Sequence, residues 1–429
     1  RGGGGGSQYE MAPMFERCNV ATDHNMLMMD IMKQVSRRHG LECLLHEKPF
    51  ANMNGSGKHN NWSFGTNKVP TLFKPSNPHF MLALAAFVRA VDTHASLIRT
   101  SVATSGNDHR LGGHEAPPGI MSIYLGSDVQ AMVEAFLRGD KETVRSAAVA
   151  SEDFGIPCMP AFNRQPVDRN RTSPIAYTGN KFELRAVGSN QNPSFSTTVM
   201  NTITSEAMEA MADAIAALKD DGLSAAEAEE RVVRDTLQAH QRILFAGNNY
   251  SEEWRAEAKA RGLPEAADTV DSLKAFVSDK TRELFAKADV LTPPELDCRN
   301  TVAYENFTLD VLVEAHCMIN MVNVQVLPPS VTYVNRLRDS VSNSSDLENR
   351  HKAVNTHISQ LLKSLSELET VTSAVQANED TVAAASDIQQ RLRPAMARVR
   401  HHADELEGLV DSSLWILPTY HELINCGHH

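Results

Sequence analysis

Apolar residues in the first half of the chain come in short runs broken by proline and glycine, a spacing typical of strands. These runs predict strands over residues 8–15, 42–50 and 182–187. An apolar-rich stretch over residues 80–100 follows Pro78 and predicts a helix. On a strand over 182–187, Glu183 and Arg185 are two positions apart, so their side chains project from the same face.

The second half of the chain changes to helical spacing from about residue 202 onward. Strong helix formers with apolar residues three and four apart predict helices over 205–219, 224–245 and 305–327. Ser205 and Ser224 stand where N-capping residues are expected. The pair Pro328-Pro329 is expected to end the third helix, because proline lacks the N–H that continues a helix.

Residues 345–411 carry two apolar stripes with intervals of mostly three, four or seven. These stripes predict two antiparallel helices joined near residues 378–380. The apolar positions are Ile358, Leu361, Leu365, Leu368, Ile388, Leu392, Val399, Leu406 and Val410.

Composition narrows the class of protein. The 429 residues suffice for one or two domains, and a net charge of -12 argues against a nucleic-acid-binding surface. No uninterrupted apolar run approaches the roughly 18 residues that a bilayer span requires, so no membrane is expected. Six scattered cysteines form no CxxC pair, which favours reduced thiols and a cytoplasmic protein, or an organellar one in a eukaryote.

The richest motif lies at residues 54–63, which read Asn-Gly-Ser-Gly-Lys-His-Asn-Asn-Trp-Ser. Glycines let backbone N–H groups approach an anionic or zwitterionic ligand, and a histidine there can coordinate a cation. A phosphate-binding loop of the Walker A type is excluded, because it requires glycine at Asn52 and serine or threonine at His59. The motif therefore predicts a different kind of ligand-binding loop.

This loop, with the preceding His-Glu-Lys-Pro-Phe-Ala at 46–51, resembles the glutamate-binding loop of glutamine synthetases, in particular the long type III enzymes. Four further stretches agree in the order of that family, and weaker similarity continues to about residue 420. They are Ser-Gln-Tyr-Glu-Met-Ala-Pro at 7–13, Arg-Leu-Gly-Gly-His-Glu-Ala-Pro-Pro at 110–118, Asp-Arg-Asn-Arg-Thr-Ser-Pro at 168–174 and Gly-Asn-Lys-Phe-Glu-Leu-Arg-Ala-Val-Gly-Ser at 179–189.

The resemblance implies an α+β fold: a curved, mainly antiparallel catalytic sheet with helices, followed by a helix-rich C-terminal region with the helical hairpin. It implies a catalytic domain over residues 1–335, with a motif core at 7–190 and a helical part at 200–335. The hairpin and tail then occupy 336–429. The small N-terminal β-grasp domain of the family is not found in this sequence.

The resemblance also implies a reaction, the ATP-dependent ligation of ammonia to L-glutamate through a γ-glutamyl phosphate. Two Mg²⁺ or Mn²⁺ ions would serve each intact site, with Glu10, His59 and Glu183 as metal ligands in this chain. Arg110 resembles the residue that grips the substrate α-carboxylate, and Glu115 the flap residue that assists deprotonation of ammonium. The resemblance further implies that Arg171 and Arg185 clamp the substrate and the phosphoryl group. Asn54 and Gly55 would contact glutamate. The residues expected to contact ATP are Phe15, Asn61, Ser63 and Lys181.

Two departures from the family pattern leave other readings open. Glycines at 2–6 occupy the place of a further metal-ligating glutamate, and an upstream Glu-x-Glu strand is also missing. The chain therefore resembles the C-terminal two-thirds of such an enzyme. An inactive paralogue or fragment with a binding or structural role remains an alternative, as does a ligase that uses another amine. The family implies a dodecamer of two hexameric rings for the intact protein.

Overall fold

The computed structural model of the chain describes residues 8–50, 53–112, 116–140, 172–338 and 344–418. It also describes positions 142, 341 and 422 and the short strands Ser151–Glu152 and Phe162–Asn163. The chain divides into two compact units, Tyr9–Leu296 and Asp297–His429. This division by packing does not test the family domain boundary expected at residue 335.

The first unit contains a four-stranded sheet. In chain order its strands are β1 (Gly57–Trp62), β2 (Ile123–Tyr124), β5 (Ile175–Tyr177) and β6 (Phe182–Gly188), arranged as β1-β6-β5-β2. The β1–β6 and β6–β5 pairs are antiparallel and the β5–β2 pair is parallel. Strands β3 (Ser151–Glu152) and β4 (Phe162–Asn163) form a separate antiparallel pair. The predicted α+β class with a mainly antiparallel sheet is confirmed.

An aromatic cluster fills the space between one face of this sheet and the first long core helix, α2 (Phe80–Thr93). The Phe182 ring lies 4.1 Å from that of Phe87 and 4.9 Å from that of Phe73, and Trp62 stacks on Phe87 at 5.4 Å. His59, Asn61 and Glu183 lie on the opposite face. Lys58 and Asn60 share the face of Trp62, where Asn60 Nδ2 donates to Ser196 Oγ at 3.4 Å.

Helices make up most of the remaining structure. Before the β5–β6 hairpin they are α1 (Cys18–Arg38), α2, α3 (Ala95–Ser101), α4 (Ser105–Arg110) and α5 (Ser127–Arg138). After it they are α6 (Ser194–Asp220), α7 (Ala225–His240), α8 (Glu252–Ala260), α9 (Thr269–Leu273), α10 (Asp279–Lys287) and α11 (Pro293–Met321). Helix α2 packs against α6 and α7, which places these two helices behind the sheet.

Two predicted strands are wrong. Residue 9 forms only an isolated bridge within 8–15, and residues 42–50 have no regular structure. The second segment is held by local bonds instead: Lys48 N donates to His46 Nδ1 at 2.9 Å, and Ser56 N donates to the Glu47 carbonyl at 2.7 Å. Pro49 has no N–H to give to a ladder. The strand predicted at 182–187 is confirmed as β6.

The helix boundaries show which local signals were decisive. Ser224 caps α7 in a capping box with Glu227, as a serine at a helix start predicts. Ser205, by contrast, lies inside α6, which begins eleven residues earlier at Ser194. The helix predicted over 80–100 bends by 77° at His94 and becomes α2 and α3.

The predicted stop at Pro328-Pro329 is wrong, because the helix continues through it. A π-helical segment, Val322–Val326, follows α11, and α12 (Leu327–Arg338) carries both prolines. Leu327 N–H donates five residues back to the Val322 carbonyl, rather than four. This wider turn relieves the clash between a proline ring and the carbonyl of the preceding turn.

The second unit contains the predicted hairpin. Its arms are α13 (Ser345–Gln376) and the pair α14 (Thr381–Asp387) and α15 (Arg393–Leu409), which flank a second π-helical segment at Ile388–Leu392. All nine apolar positions named from the sequence are buried. Asp380 caps α14, accepting from the N–H groups of Val382 and Ala383. The antiparallel pair joined near 378–380 is therefore confirmed.

One helical stretch, residues 293–338, is long and apolar enough by length and composition to cross a membrane, with a window of mean hydropathy 1.2. The expectation drawn from uninterrupted apolar runs missed it, because a window average tolerates polar residues that interrupt such a run. Only 28% of that window is buried inside the structure. Core helices of soluble proteins satisfy the same criterion.

Candidate active site

The polar face of strands β1 and β6 gathers four of the predicted site residues. Alternation along β1 leaves Gly57, His59 and Asn61 at the exposed positions, and Asn61 lies directly opposite Glu183. Between the pairs Lys58–Val187 and Asn60–Leu184 the register shifts by one residue, so β6 contains a bulge beside Arg185. Glu183 and Arg185 therefore share a face of the sheet with His59 and Asn61.

The three ionisable side chains of this face are close together. His59 Nδ1 lies 3.9 Å from Glu183 Oε2, and Arg185 Nε donates to the same oxygen at 3.2 Å. Although the ring is partly exposed, desolvation by the surrounding groups and the charge of Arg185 lower the pKa of His59, and the carboxylate of Glu183 acts in the opposite direction. Glu10 also raises this pKa, so its carboxylate is within electrostatic range of the ring. His59 is therefore mostly neutral at pH 7, the form that can bind a metal ion.

An imidazole and carboxylates are donors that suit Mn²⁺, and the carboxylates also suit Mg²⁺. Among the residues that the structure describes, no group of three or more histidine, cysteine, aspartate or glutamate side chains is close enough to hold a metal ion. His59 and Glu183 fit two positions of an incomplete ligand set. The assignment of Glu10, His59 and Glu183 as metal ligands stays a prediction.

Arg110 lies at the C-terminal end of α4 beneath the glycine loop, and it is buried. Its Nη2 donates to the Arg185 carbonyl at 2.9 Å, and Nη1 donates to Asn107 Oδ1 at 3.3 Å and to the Val187 carbonyl at 3.5 Å. These bonds use three of the five guanidinium donors. Arg110 is thus anchored to the strand that carries Glu183 and Arg185, and is not part of a surface salt bridge.

The glycines of the loop are required by Arg110. A Cβ at Gly57 would overlap Nη2, Cζ and Nε of the guanidinium, and one at Gly55 would lie 3.0 Å from the Arg110 Cγ. Because Gly57 faces the exposed side of β1, its missing side chain leaves an edge of the guanidinium open toward the polar face. The Nη2–Nε edge of the guanidinium therefore lies on the side of β1 that carries His59 and Asn61.

Two charged residues next to this loop were missed as site residues. Glu47 is buried and Lys58 is partly buried, and Glu47 acts electrostatically on Lys58 and on Arg110. Burial lowers the pKa of Lys58 to about 8 and that of Arg110 to about 10, and Glu47 opposes both shifts. The sequence signal for these two residues was an acidic residue just before a glycine loop that contains a lysine. That pattern does not reveal that Glu47 lies near Arg110.

The residues predicted to contact ATP separate into two groups. Ser63 Oγ donates to the Asn180 carbonyl at 3.3 Å, so the end of β1 meets the β5–β6 turn that carries Lys181. Asn61 is on the same strand, two residues before Ser63. Phe15, in contrast, is 94% exposed on the segment before α1. The structure therefore brings Asn61, Ser63 and Lys181 together and leaves Phe15 on the surface.

The remaining predicted residues add less. Asn54 lies in the loop just ahead of Gly55, while Glu115 and Arg171 lie outside the described residues. Asn107 is a scaffold residue that the sequence did not indicate: its buried amide Nδ2 donates to the carbonyls of Val102 and Ala186 at 2.6 and 2.8 Å. That amide ties α4 to β6.

Comparison with known proteins agrees with this geometry. Residues 3–99 match the profile of the glutamine synthetase catalytic domain, and residues 228–345 match the profile of the glutamine synthetase C-terminal domain. The chain belongs to the glutamine synthetase family. The first match contains the glycine loop and β1, which carry His59 and Asn61.

Individual relatives align along nearly the whole chain. A type-3 glutamine synthetase of Dictyostelium discoideum is 38% identical over 97% of the chain and 59% of its own length. Glutamine synthetases of Bacteroides fragilis and Butyrivibrio fibrisolvens are 33% and 34% identical over 97% of the chain, which covers 60% and 61% of them. The chain thus spans about three-fifths of the length of the curated relatives it matches.

Proposed function

We propose that this chain is the catalytic portion of a glutamine synthetase of the type III class, which ligates ammonia to L-glutamate at the expense of ATP through a γ-glutamyl phosphate. The observation that carries the proposal is the shared polar face of β1 and β6. There His59 Nδ1 and Arg185 Nε lie 3.9 and 3.2 Å from the same carboxylate oxygen, Glu183 Oε2. Family membership supplies the reaction class.

L-Glutamate is proposed to bind at the glycine loop. Arg110 has two guanidinium donors beyond its three bonds to neutral oxygens, and Gly57 leaves an approach to them. These donors suit the α-carboxylate, because a guanidinium edge pairs with two carboxylate oxygens. Asn54 and Gly55 would contact the amino-acid end of the same substrate.

ATP is proposed to lie at the other end of the face, against Asn61, Ser63 and Lys181, with Phe15 near the nucleotide. Glu10, His59 and Glu183 would hold Mg²⁺ or Mn²⁺, two ions per intact site. Bound divalent ions would neutralise phosphate charge during transfer. Arg185, already oriented by its bond to Glu183, would supply positive charge to the phosphoryl group.

Further parts of the proposal come from the family. Glu115 would close the site and assist deprotonation of ammonium, and Arg171 would be a second arginine clamp. The intact protein is proposed to be a cytoplasmic dodecamer of two hexameric rings. A sedimentation experiment on the full-length gene product that finds a stable monomer would contradict the assembly.

Two substitutions in the full-length gene product test the site. Arg185→Ala should lower glutamine formation about a hundredfold or more, with a much smaller loss of ATP affinity, because a transition-state charge clamp contributes roughly 3–4 kcal/mol. Glu183→Ala should weaken Mn²⁺ and nucleotide binding together. Phosphate release and glutamine formation report turnover, and calorimetric titration reports binding.

Matched controls are available on exposed helix surfaces. Arg231 pairs with Asp235 at 3.9 Å, and Glu252 is largely exposed at the start of α8, so Arg231→Ala and Glu252→Ala should leave turnover unchanged. Near-normal glutamine formation by both site variants would show that the roles are misassigned. A wild-type protein without any ligase activity would instead favour the inactive-paralogue alternative.

A further inference from the structure

Glu47 has a side chain that is only 4% exposed, although it lies in an irregular segment beside the glycine loop. Its Oε1 accepts a hydrogen bond from Asn190 N at 3.0 Å, just past the end of β6. Its backbone carbonyl accepts from Ser56 N, within the loop. One residue therefore connects the glycine loop to the strand that carries Glu183 and Arg185.

Two glycines make room for this carboxylate. A Cβ at Gly106, in α4, would overlap Oε2, and a Cβ at Gly188, at the end of β6, would overlap Oε1. Gly106 lies one helical turn before Arg110 on the same helix. The carboxylate thus occupies a slot between the helix that presents Arg110 and the strand to which Arg110 is bonded.

The carboxylate in this slot also interacts electrostatically with two cations, Lys58 and Arg110. Arg110 is buried and Lys58 is partly buried, and for each of them Glu47 is the largest electrostatic influence that favours the charged form. The hydrogen bonds described for Arg110 go to neutral oxygens. A buried cation without a compensating charge is unfavourable and moves toward solvent or displaces its surroundings.

We propose that Glu47 is a positioning residue for substrate binding: its buried carboxylate balances Arg110 and Lys58 and thereby fixes Arg110 beneath the Gly57 opening. The inference rests on the proposed function, since it assigns Glu47 to the binding of the glutamate α-carboxylate. Glu47 does not contact the substrate. It acts through the placement of Arg110, and ATP at the opposite end of the face should be unaffected.

The test compares variants of the full-length gene product. Glu47→Gln keeps the size of the side chain and an acceptor for Asn190 N but removes the charge, and Glu47→Asp keeps the charge with a shorter reach. We expect the KM for glutamate to rise about tenfold in Glu47→Gln and about threefold in Glu47→Asp. The KM for ATP should stay within about twofold of wild type in both.

A matched control separates positioning from general destabilisation. Asp92 is another buried carboxylate, bonded to His240 Nδ1 at 2.7 Å and Arg242 Nε at 2.8 Å on helices away from the polar face. Asp92→Asn should lower the melting temperature without changing the KM for glutamate. The rise in melting temperature caused by added L-glutamate should shrink in Glu47→Gln and persist in Asp92→Asn.

The outcomes are distinguishable. If wild type forms glutamine and Glu47→Gln keeps the wild-type KM for glutamate, or if both KM values rise equally, the positioning role is overturned and the proposed function stands. If wild type neither forms glutamine nor is stabilised by L-glutamate, the proposed function fails and the inference falls with it. Should Glu47→Gln fail to fold, a selective rise in the glutamate KM of Glu47→Asp supports the role, and an unchanged KM overturns it.

Discussion

The two compact units differ in what they bury. Within the described part of Tyr9–Leu296, six residues with acidic, basic or imidazole side chains are each less than a tenth exposed as whole residues, namely Glu47, Asp92, His94, Arg99, Arg110 and Arg185. Within the described part of Asp297–His429, the buried polar side chains are three hydroxyls, Ser330, Ser364 and Thr372. Ser330 and Thr372 bond to carbonyls four residues back in their own helices.

The first unit thus holds charged side chains in fixed positions in its interior, whereas the interior of the second unit consists mainly of packed apolar helix faces. Burying a charge costs free energy unless a partner compensates it, whereas a helical hydroxyl satisfied by its own backbone costs little. Clusters of buried charge are therefore expected where chemistry takes place. In the first unit three of the six, Glu47, Arg110 and Arg185, border the polar face of β1 and β6.

The largest expected effect comes from removing one buried charge. Asp108 Oδ1 accepts from Thr269 N at 2.9 Å and lies 3.7 Å from Arg99 Nη2, with both charged side chains almost fully buried. Asp108→Ala should lower the free energy of unfolding by about 3–5 kcal/mol, because Arg99 loses its compensation. Thr372→Val in the hairpin should cost about 1 kcal/mol or less. Equal losses in urea denaturation would remove the contrast.

The next effect concerns pH. His94 is buried between α2 and α3, facing Arg89, Glu206 and Lys280. Burial, then Lys280 and Arg89, lower its pKa from 6.5 to about 4, although Glu206 Oε2 lies 3.8 Å from Nε2. Because the folded-state pKa is depressed, the stabilisation is complete above pH 6.5 and is lost as the pH falls toward 4.

The size of this pH effect is at most about 3 kcal/mol for a shift of this extent. His94→Gln should therefore flatten the fall in unfolding free energy between pH 7.5 and pH 4, whatever its effect on stability at neutral pH. Chemical denaturation at a series of pH values measures both slopes. Parallel slopes for wild type and variant would mean that His94 does not take up the proton.

The smallest effect uses two glycines with opposite expected signs. A Cβ at Gly188 would overlap the buried Glu47 carboxylate, so Gly188→Ala should destabilise by about 1–3 kcal/mol. Gly408 lies in α15 with nothing within 4 Å of an added Cβ, so Gly408→Ala should stabilise by about 0.5–1 kcal/mol. If Gly188→Ala were neutral, the slot around Glu47 would be less tightly filled than the structure indicates.

Periodicity predicted the parts of the fold that obey local rules. The strand with Glu183 and Arg185, the capping box at Ser224 and both arms of the hairpin were all identified from spacing and capping. The segment 42–50 was misread as a strand, because apolar clustering cannot reveal whether a partner strand is present. Its structure depends on contacts with the loop at Ser56 and the turn at Asn190.

The candidate site was predictable in part for the same reason. His59, Asn61 and Glu183 stand in recognisable motifs, and strand alternation brings them to one face. The role of Glu47 was not predictable, because it depends on four separate segments meeting around one carboxylate. The spatial position of Arg110 beneath Gly57 likewise required the structure.

The two π-helical segments share an arrangement. In each, the residue just before a proline donates its N–H five positions back: Leu327 to the Val322 carbonyl ahead of Pro328, and Arg393 to the Ile388 carbonyl ahead of Pro394. Such a turn contains one residue more than an α-helical turn. In related sequences, loss of either proline should therefore tend to accompany a single-residue deletion in the turn before it. An alignment gap at either place would then mean that the π-helical turn has become an ordinary α-helical turn. It would not indicate a change in loop length.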